Sequence, residues 1–274
     1  MKNIERNKPY DPEVLDKLHR LQIEMLKDLA EICRKYDLQY FAVFGTALGA
    51  VRHKGFIPWD DDIDVGMMRD DYEIFIRVEE KEMGDKYQML TPEIDDRYAC
   101  NVTKFQRKGT KFISHLSEKL ECEQCIFIDI FPFDCVAPTN RKAKKQQLVT
   151  LFLDRLLYLC GTAYPIIPYT GIKHRIAANI CWCVHYATKI LKISPRKVYS
   201  LFEKESTRAF SMTNSIVQHR IESLPTACTR LPVRSYSSFP ALTSVILQSF
   251  FSVHFRSHAK LTGKFLIEIS TAGN

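Results

Sequence analysis

"GAVRHKGFIPWDDDIDVGM", from Gly49 to Met67, places four aspartates within positions 60 to 64 and runs straight on into apolar residues. An extended chain alternates its faces, so Asp62 and Asp64 emerge on one side while Ile63 and Val65 turn to the core. Two carboxylates held that close repel each other unless a cation lies between them. Oxygen donors of this hardness suit Mg²⁺ or Mn²⁺, and a carboxylate pair completed by substrate phosphates is the usual Mg²⁺ arrangement. The stretch therefore predicts a strand bearing a divalent metal that carries a nucleotide. An acidic surface turn is an equal reading for Asp60 and Asp61, which follow Pro58 and Trp59. It is the weaker one for Asp62 and Asp64, because Ile63 and Val65 bury the segment and a buried unpaired carboxylate is costly.

The flanking sequence supplies the rest of a domain. "LQYFAVF" (38–44) predicts a short buried strand, and "TALGAVRHKG" (46–55) a helical turn or short helix leaving its end. Gly45 and Thr46, at the junction, would offer backbone N–H groups and a hydroxyl to a phosphate. Before them, Asp11 caps Pro12 and apolar residues recur from Leu15 to Ile32, predicting an amphipathic helix that ends near Tyr36. After them, "DYEIFIRVEEKEM" (71–83) predicts a helix. "KYQML", "YACNVTKFQ", "TKFIS" and "CIFIDIFPF" predict strands, and 139–206 turns helical. In "CIFIDIFPFD", Asp129 sits between Ile128 and Ile130, where an ionised side chain needs a partner; Asp134 reads instead as a loop residue or helix cap. The expected architecture is α/β (α+β): a mixed sheet with flanking helices, followed by a helical region.

Composition bounds the alternatives. The chain has 274 residues, 46% hydrophobic and 26% charged, enough for a sizeable core. Its net charge of +7 is concentrated after Ile216, where six Lys/Arg face two Glu. No nucleic-acid-binding signature accompanies it, so no nucleic-acid partner is expected. Nine irregularly spaced cysteines read as reduced thiols, and one C-x-x-C at Cys122 and Cys125 falls short of a zinc site. The N-terminus lacks a signal-peptide pattern and no run approaches about 18 apolar residues. A cytoplasmic protein is expected, with peripheral contact at the inner membrane face as a further expectation from Trp182 and Tyr186.

Strand, Gly-Thr, short helix, and a strand with Asp-x-Asp follow the order of the nucleotidyltransferase superfamily. "LQYFAVFGTALGAVRHKGFIPWDDDIDVGMMRDDYEIF" together with "FIDIFPFD" resembles the LicD family more specifically, over about Leu15 to Pro132. Its fold is shared with the fukutin-related proteins. The resemblance implies a Mg²⁺- (or Mn²⁺-) dependent transferase. The donor would be CDP-activated, typically CDP-choline, and the acceptor a hydroxyl of a cell-surface or lipid-linked glycan such as lipopolysaccharide or teichoic acid. Asp62, Asp64 and Asp129 would hold the metal and form the catalytic set, with Asp129 assisting deprotonation of the acceptor. Gly45 and Thr46 would meet the donor phosphates. Arg52, His53 and Lys54 read equally as pyrophosphate contacts or as solvated loop charges. Lys104 and Arg107 read as donor or acceptor contacts or as edge-strand charges. Trp59, Tyr98, Phe131 and Phe133 are aromatic candidates for a quaternary ammonium, with core packing the more ordinary role.

Two other readings share the same residues: a nucleotidyltransferase acting on a small molecule, and an inactive metal- or nucleotide-binding remnant. The expected division is a nucleotidyltransferase-like catalytic core at 1–138, a helical region at 139–215 and an atypical tail at 216–274. Ser and Thr number 14 in that last segment, consistent with a divergent or frame-altered end.

Overall fold

The computed structural model describes residues 10–113, 121–165, 167 and 169–208; the expected tail at 216–274 lies outside them. The described chain begins with α1 (Pro12–Tyr36), β1 (Tyr40–Ala42) and α2 (Phe44–His53). β2 (Asp64–Met68), α3 (Arg69–Met83), β3 (Tyr87–Leu90), β4 (Thr103–Arg107) and β5 (Phe127–Phe133) follow, and then α4 (Asn140–Gly161), α5 (Gly171–Ile190) and α6 (Pro195–Ser206). The mixed sheet and the later helical region are those expected. Backbone contacts divide the chain into two compact units, and among the described residues the boundaries fall after Phe133 at the end of β5, inside α4 and inside α6.

The first unit contains the sheet, in the order β1-β2-β5-β4-β3. β2 and β5 run parallel, while β1 with β2, β5 with β4 and β4 with β3 are antiparallel. The parallel pair aligns Asp64 with Asp129 and Val65 with Ile130. Because side chains alternate, one face receives the carboxylates and the other the branched aliphatics. Ile63, Val65, Met67, Phe105, Ile128 and Ile130 join one apolar core with Met25, Leu29 and Ile32 of α1 and Tyr72 and Phe75 of α3.

Local chemistry explains the helices that close this face. The Asp11 side chain accepts from the Glu13 N–H at 2.9 Å, Pro12 opens α1, and Asp37 ends it in a left-handed cap at φ 55°. Outside the apolar seam, Lys35 and Tyr36 both donate to Glu82 at the end of α3. Lys86 and Tyr87 donate to Asp28 of α1. Exposed pairs of this kind add little energy, so their main effect is to fix the helices in azimuth.

The expected strand at "TKFIS" does not form over its described residues, 110–113. After a turn at Gly109 (φ 74°), Thr110 donates to the Arg107 carbonyl and accepts from the Ile126 N–H, while the Phe112 N–H donates to the Gln124 carbonyl. These isolated bonds spend the segment's polar groups without building a ladder. The edge-strand reading of Lys104 and Arg107 is also corrected, since β4 lies between β5 and β3.

In the second unit, the Gln146 side chain of α4 accepts from the Ala137 N–H and donates to the carbonyls of Glu205 and Ser206. One glutamine thereby gathers the start of α4 and the end of α6.

Glu79 on α3 is 2% exposed, and its Oε1 has no hydrogen-bond partner. Burial pushes its carboxyl up to about 7, with Lys108 opposing the shift. A folded-state value above the unfolded one means that the native state binds the extra proton. This contribution to stability is therefore full below about pH 4.5 and lost as the pH rises through about 7. Glu79→Gln is expected to remove that loss, leaving the variant more stable than the parent at pH 8 by up to about 3 kcal/mol and nearly equal at pH 4.5. Urea denaturation at the two pH values measures the difference.

Candidate metal centre

The carboxylates of Asp62, Asp64 and Asp129 each offer an oxygen within 4.8 Å of the others, on the sheet face opposite the apolar core. Asp64 opens β2, Asp129 lies beside it on β5, and Asp62 precedes the strand. Asp62 belongs also to a second acidic group, with Asp60 and Asp61. Burial, followed by repulsion from the neighbouring carboxylates, holds both Asp62 and Asp64 well above the ordinary carboxylate range. Burial raises Asp129 as well, but Lys104 opposes it, donating to Asp129 Oδ1 at 2.7 Å. The three aspartates are thus unequal: one has a directly paired cation, and the other two face mainly burial and neighbouring carboxylates.

The turn leading into α2 is tied to this acidic strand. Val43 donates its N–H to the Asp64 carbonyl at 3.2 Å, and Asp64 donates its own N–H to Thr46 Oγ1 at 2.7 Å. The Gly45 N–H hydrogen-bonds to the Asp64 carboxylate and lowers its pKa against the larger effects of burial and charge. A Cβ at Gly45 would sit 2.9 Å from Asp60 Oδ2 and 3.8 Å from Asp64 Oδ2, so glycine lets the backbone come up against the carboxylates. Phe44 adopts φ 45°, a left-handed conformation uncommon for an aromatic residue, and its ring meets Phe131 edge-on at 4.9 Å. That sharp turn aims the Gly45 N–H at the acid. Gly45 and Thr46 therefore lie at the site, where the sequence places them, with bonds already made to Asp64.

α1 positions the acidic loop from the other side. His19 hydrogen-bonds the Asp60 carbonyl at 2.7 Å through Nε2 and stacks on Phe56. Gln22 donates to the carbonyls of Asp61 (2.9 Å) and Phe127 (3.3 Å), joining the loop before β2 to the start of β5. Tyr10 donates to Asp61 Oδ2. Sequence reasoning singles out none of these three as functional. A signal for Gln22 exists, a glutamine at an inward position of an otherwise apolar helical row; His19 and Tyr10 carry none.

The basic and aromatic candidates separate into groups. Arg52 and His53 belong to the last turn of α2, and Lys54, its left-handed cap, begins the loop that leads to β2. All three are exposed. Lys104 stands at the site through Asp129, its Nζ 3.2 Å from the Phe127 ring centroid. Arg107 pairs with Glu24 of α1. Tyr98 is buried and donates to the Val102 carbonyl, Phe133 packs against Phe41, and Trp59 is 73% exposed near His53. Cys122 and Cys125 are buried free thiols. The groups able to hold a metal among the described residues consist of carboxylates.

This donor set fits a hard divalent cation: converging oxygens, buried like charge seeking compensation, and one lysine that balances only part of it. Comparison with known proteins bears on the same segment. Residues 37–151 match the family described as LicD/FKTN/FKRP, nucleotidyltransferase domain. Over 106 residues the chain is 41% identical to the lipopolysaccharide cholinephosphotransferase LicD of Haemophilus influenzae, covering 38% of each protein. It is 48% identical over 48 residues to uncharacterized proteins of Rickettsia prowazekii and Rickettsia typhi, covering 18% of this chain in each case. The chain therefore spans well under half the length of these curated relatives. No solved structure matches it. The acidic strand, its Gly-Thr turn and the partner aspartate all lie inside the segment, residues 37–151, that is similar to the LicD family.

Proposed function

We propose that this chain is a metal-dependent transferase that moves phosphocholine from CDP-choline to a hydroxyl of a cell-surface or lipid-linked glycan, of which lipopolysaccharide is the leading candidate. The observation that carries this reading is the convergence of Asp62, Asp64 and Asp129 beside the Gly45-Thr46 turn. Likeness to a lipopolysaccharide cholinephosphotransferase supports the choice of transferred group and acceptor. In this reading the reaction runs on the cytoplasmic side of the membrane, where a CDP-activated donor would be met.

Asp62, Asp64 and Asp129 would hold Mg²⁺ or Mn²⁺, which when bound supplies neutralising charge for the donor phosphates. In the proposed reaction the acceptor oxygen attacks the phosphorus that bears choline, the bond from that phosphorus to the bridging oxygen breaks, and CMP leaves. Asp129 would assist removal of the hydroxyl proton, and Lys104, paired with its Oδ1, opposes the effect of burial and favours the ionised carboxylate. Thr46 uses its oxygen as acceptor for the Asp64 N–H, which leaves its O–H free to donate to a donor phosphate oxygen. Catalysis of this type rests on positioning and charge stabilisation more than on covalent participation.

Asp62→Asn is expected to lower CMP release from CDP-choline, with lipopolysaccharide as acceptor, by about a hundredfold or more without changing the circular dichroism spectrum. Retained turnover would overturn the assignment. Transfer of a nucleotide instead of phosphocholine would identify a nucleotidyltransferase, and donor binding without turnover in the parent chain an inactive remnant.

The same repulsion predicts a stability effect. Neutralising one of three crowded buried carboxylates should raise the thermal midpoint of Asp62→Asn above that of the parent in EDTA at pH 8. Mn²⁺ at about a hundred times its Kd should stabilise the parent by about 2.7 kcal/mol and the variant by much less. Differential scanning fluorimetry with and without metal reads both effects.

A further inference from the structure

α5 buries only one side. Thr188 is buried and His185 donates from Nδ1 to the Leu159 carbonyl at 2.6 Å, which fixes the inward face. On the outward side stand Ile172 (75% exposed), Ile176 (55%), Ile180 (58%) and Ile190 (79%). With 3.6 residues per turn these four isoleucines fall within an arc of roughly 80°, and exposed Cys183 and Ala187 lie in the same arc. Exposed Trp182 and Tyr186, their ring centroids 4.5 Å apart, flank the row on one side. Arg175 and Lys189 share that flank, Lys173 occupies the other, and Lys192 follows the helix. From Gly171 to Lys192 there is no Asp or Glu.

A continuous apolar row of this length is more than scattered surface hydrophobicity and calls for an occupant. We infer that α5 lies flat on an anionic lipid surface, with its isoleucine row in the headgroup boundary, Trp182 and Tyr186 at the interface and its basic residues on lipid phosphates. An apolar row flanked by interfacial aromatics, with exposed Asn179 at its edge and Lys and Arg as its only charged neighbours, is the pattern of a helix that rests in a membrane interface. None of the described helices is long and apolar enough to cross a bilayer. Charge argues against the other occupants. Two copies meeting through this face would oppose Lys173, Arg175 and Lys189 with their own equivalents and no acid to answer them. Residues 209–274 carry six Lys/Arg against two Glu, so they too would meet a basic rim with net positive charge.

The test uses the full chain with vesicles of phosphatidylcholine, with and without phosphatidylglycerol. Co-sedimentation is expected with the anionic vesicles only, and should weaken as salt is added. Ile176→Asp combined with Ile180→Asp should reduce it about tenfold or more, as should Lys173→Glu combined with Arg175→Glu. In a Trp59→Phe background, Trp182 emission should shift to the blue on binding. All four substituted residues of the double variants are exposed, and unchanged thermal melting checks that the variants fold. Failure to bind either vesicle, binding unaltered in the isoleucine variant, or an unshifted Trp182 would overturn the inference. So would a dimer of the parent that this variant dissociates, or cross-links from α5 to residues 209–274, since either would assign the row to a protein partner.

Discussion

The mutual repulsion of three carboxylates in a partly buried space is the constraint on which the first unit depends. An isolated strand could not hold Asp62 and Asp64 against their own field, and placing Asp129 in register with Asp64 makes the field stronger. The opposing work is done by the other face of the same strands. Ile63, Val65, Ile128 and Ile130 are each at most 2% exposed, and their burial against α1 and α3 anchors the backbone that carries the acids. Fully burying a side chain of this size contributes about 1.5–3 kcal/mol, so four of them exceed the cost of raising a carboxylate pKa by a few units. Alternation along a strand thus couples the site to the core: any slip by one residue would exchange acid for aliphatic on both faces.

Polar contacts refine what burial holds. Gln22 reaches from α1 to two carbonyls that lie 66 positions apart in sequence, those of Asp61 and Phe127, and so joins the ends of β2 and β5 nearest the acids. His19 and Tyr10 add two more ties to the same loop. Lys104 then introduces asymmetry. By pairing directly with Asp129 and acting on Asp62 only at longer range, it sets one carboxylate with its own counter-ion apart from the other two.

Much of this is legible in the sequence because the signals are local. The acidic run beside an apolar stretch, the alternation at 62–65, the capped helix at Asp11 and the lone Asp129 between isoleucines each carry their meaning within a few residues. The failures are of two kinds. Residues 110–113 have the composition of a strand, but their hydrogen bonds are taken by Arg107, Gln124 and Ile126, a tertiary outcome that propensity does not encode. Lys104 and Arg107 look like edge charges because strand order is a long-range property, decided by pairing partners distant in the chain. The roles of Tyr10 and His19 are hidden for the same reason, and the left-handed turn at Phe44 has no residue-type signature at all.

The reciprocal bonds between Asp64 and the turn at Gly45 and Thr46 also bear on motion. Three short ties, from Val43, Gly45 and Thr46, lock the start of α2 to the start of β2. The Gly45-Thr46 turn and the acidic strand are therefore tied together as one piece. Under the proposed reaction, any movement that admits a donor would be hinged outside these ties, and the turn and the strand would meet it already set.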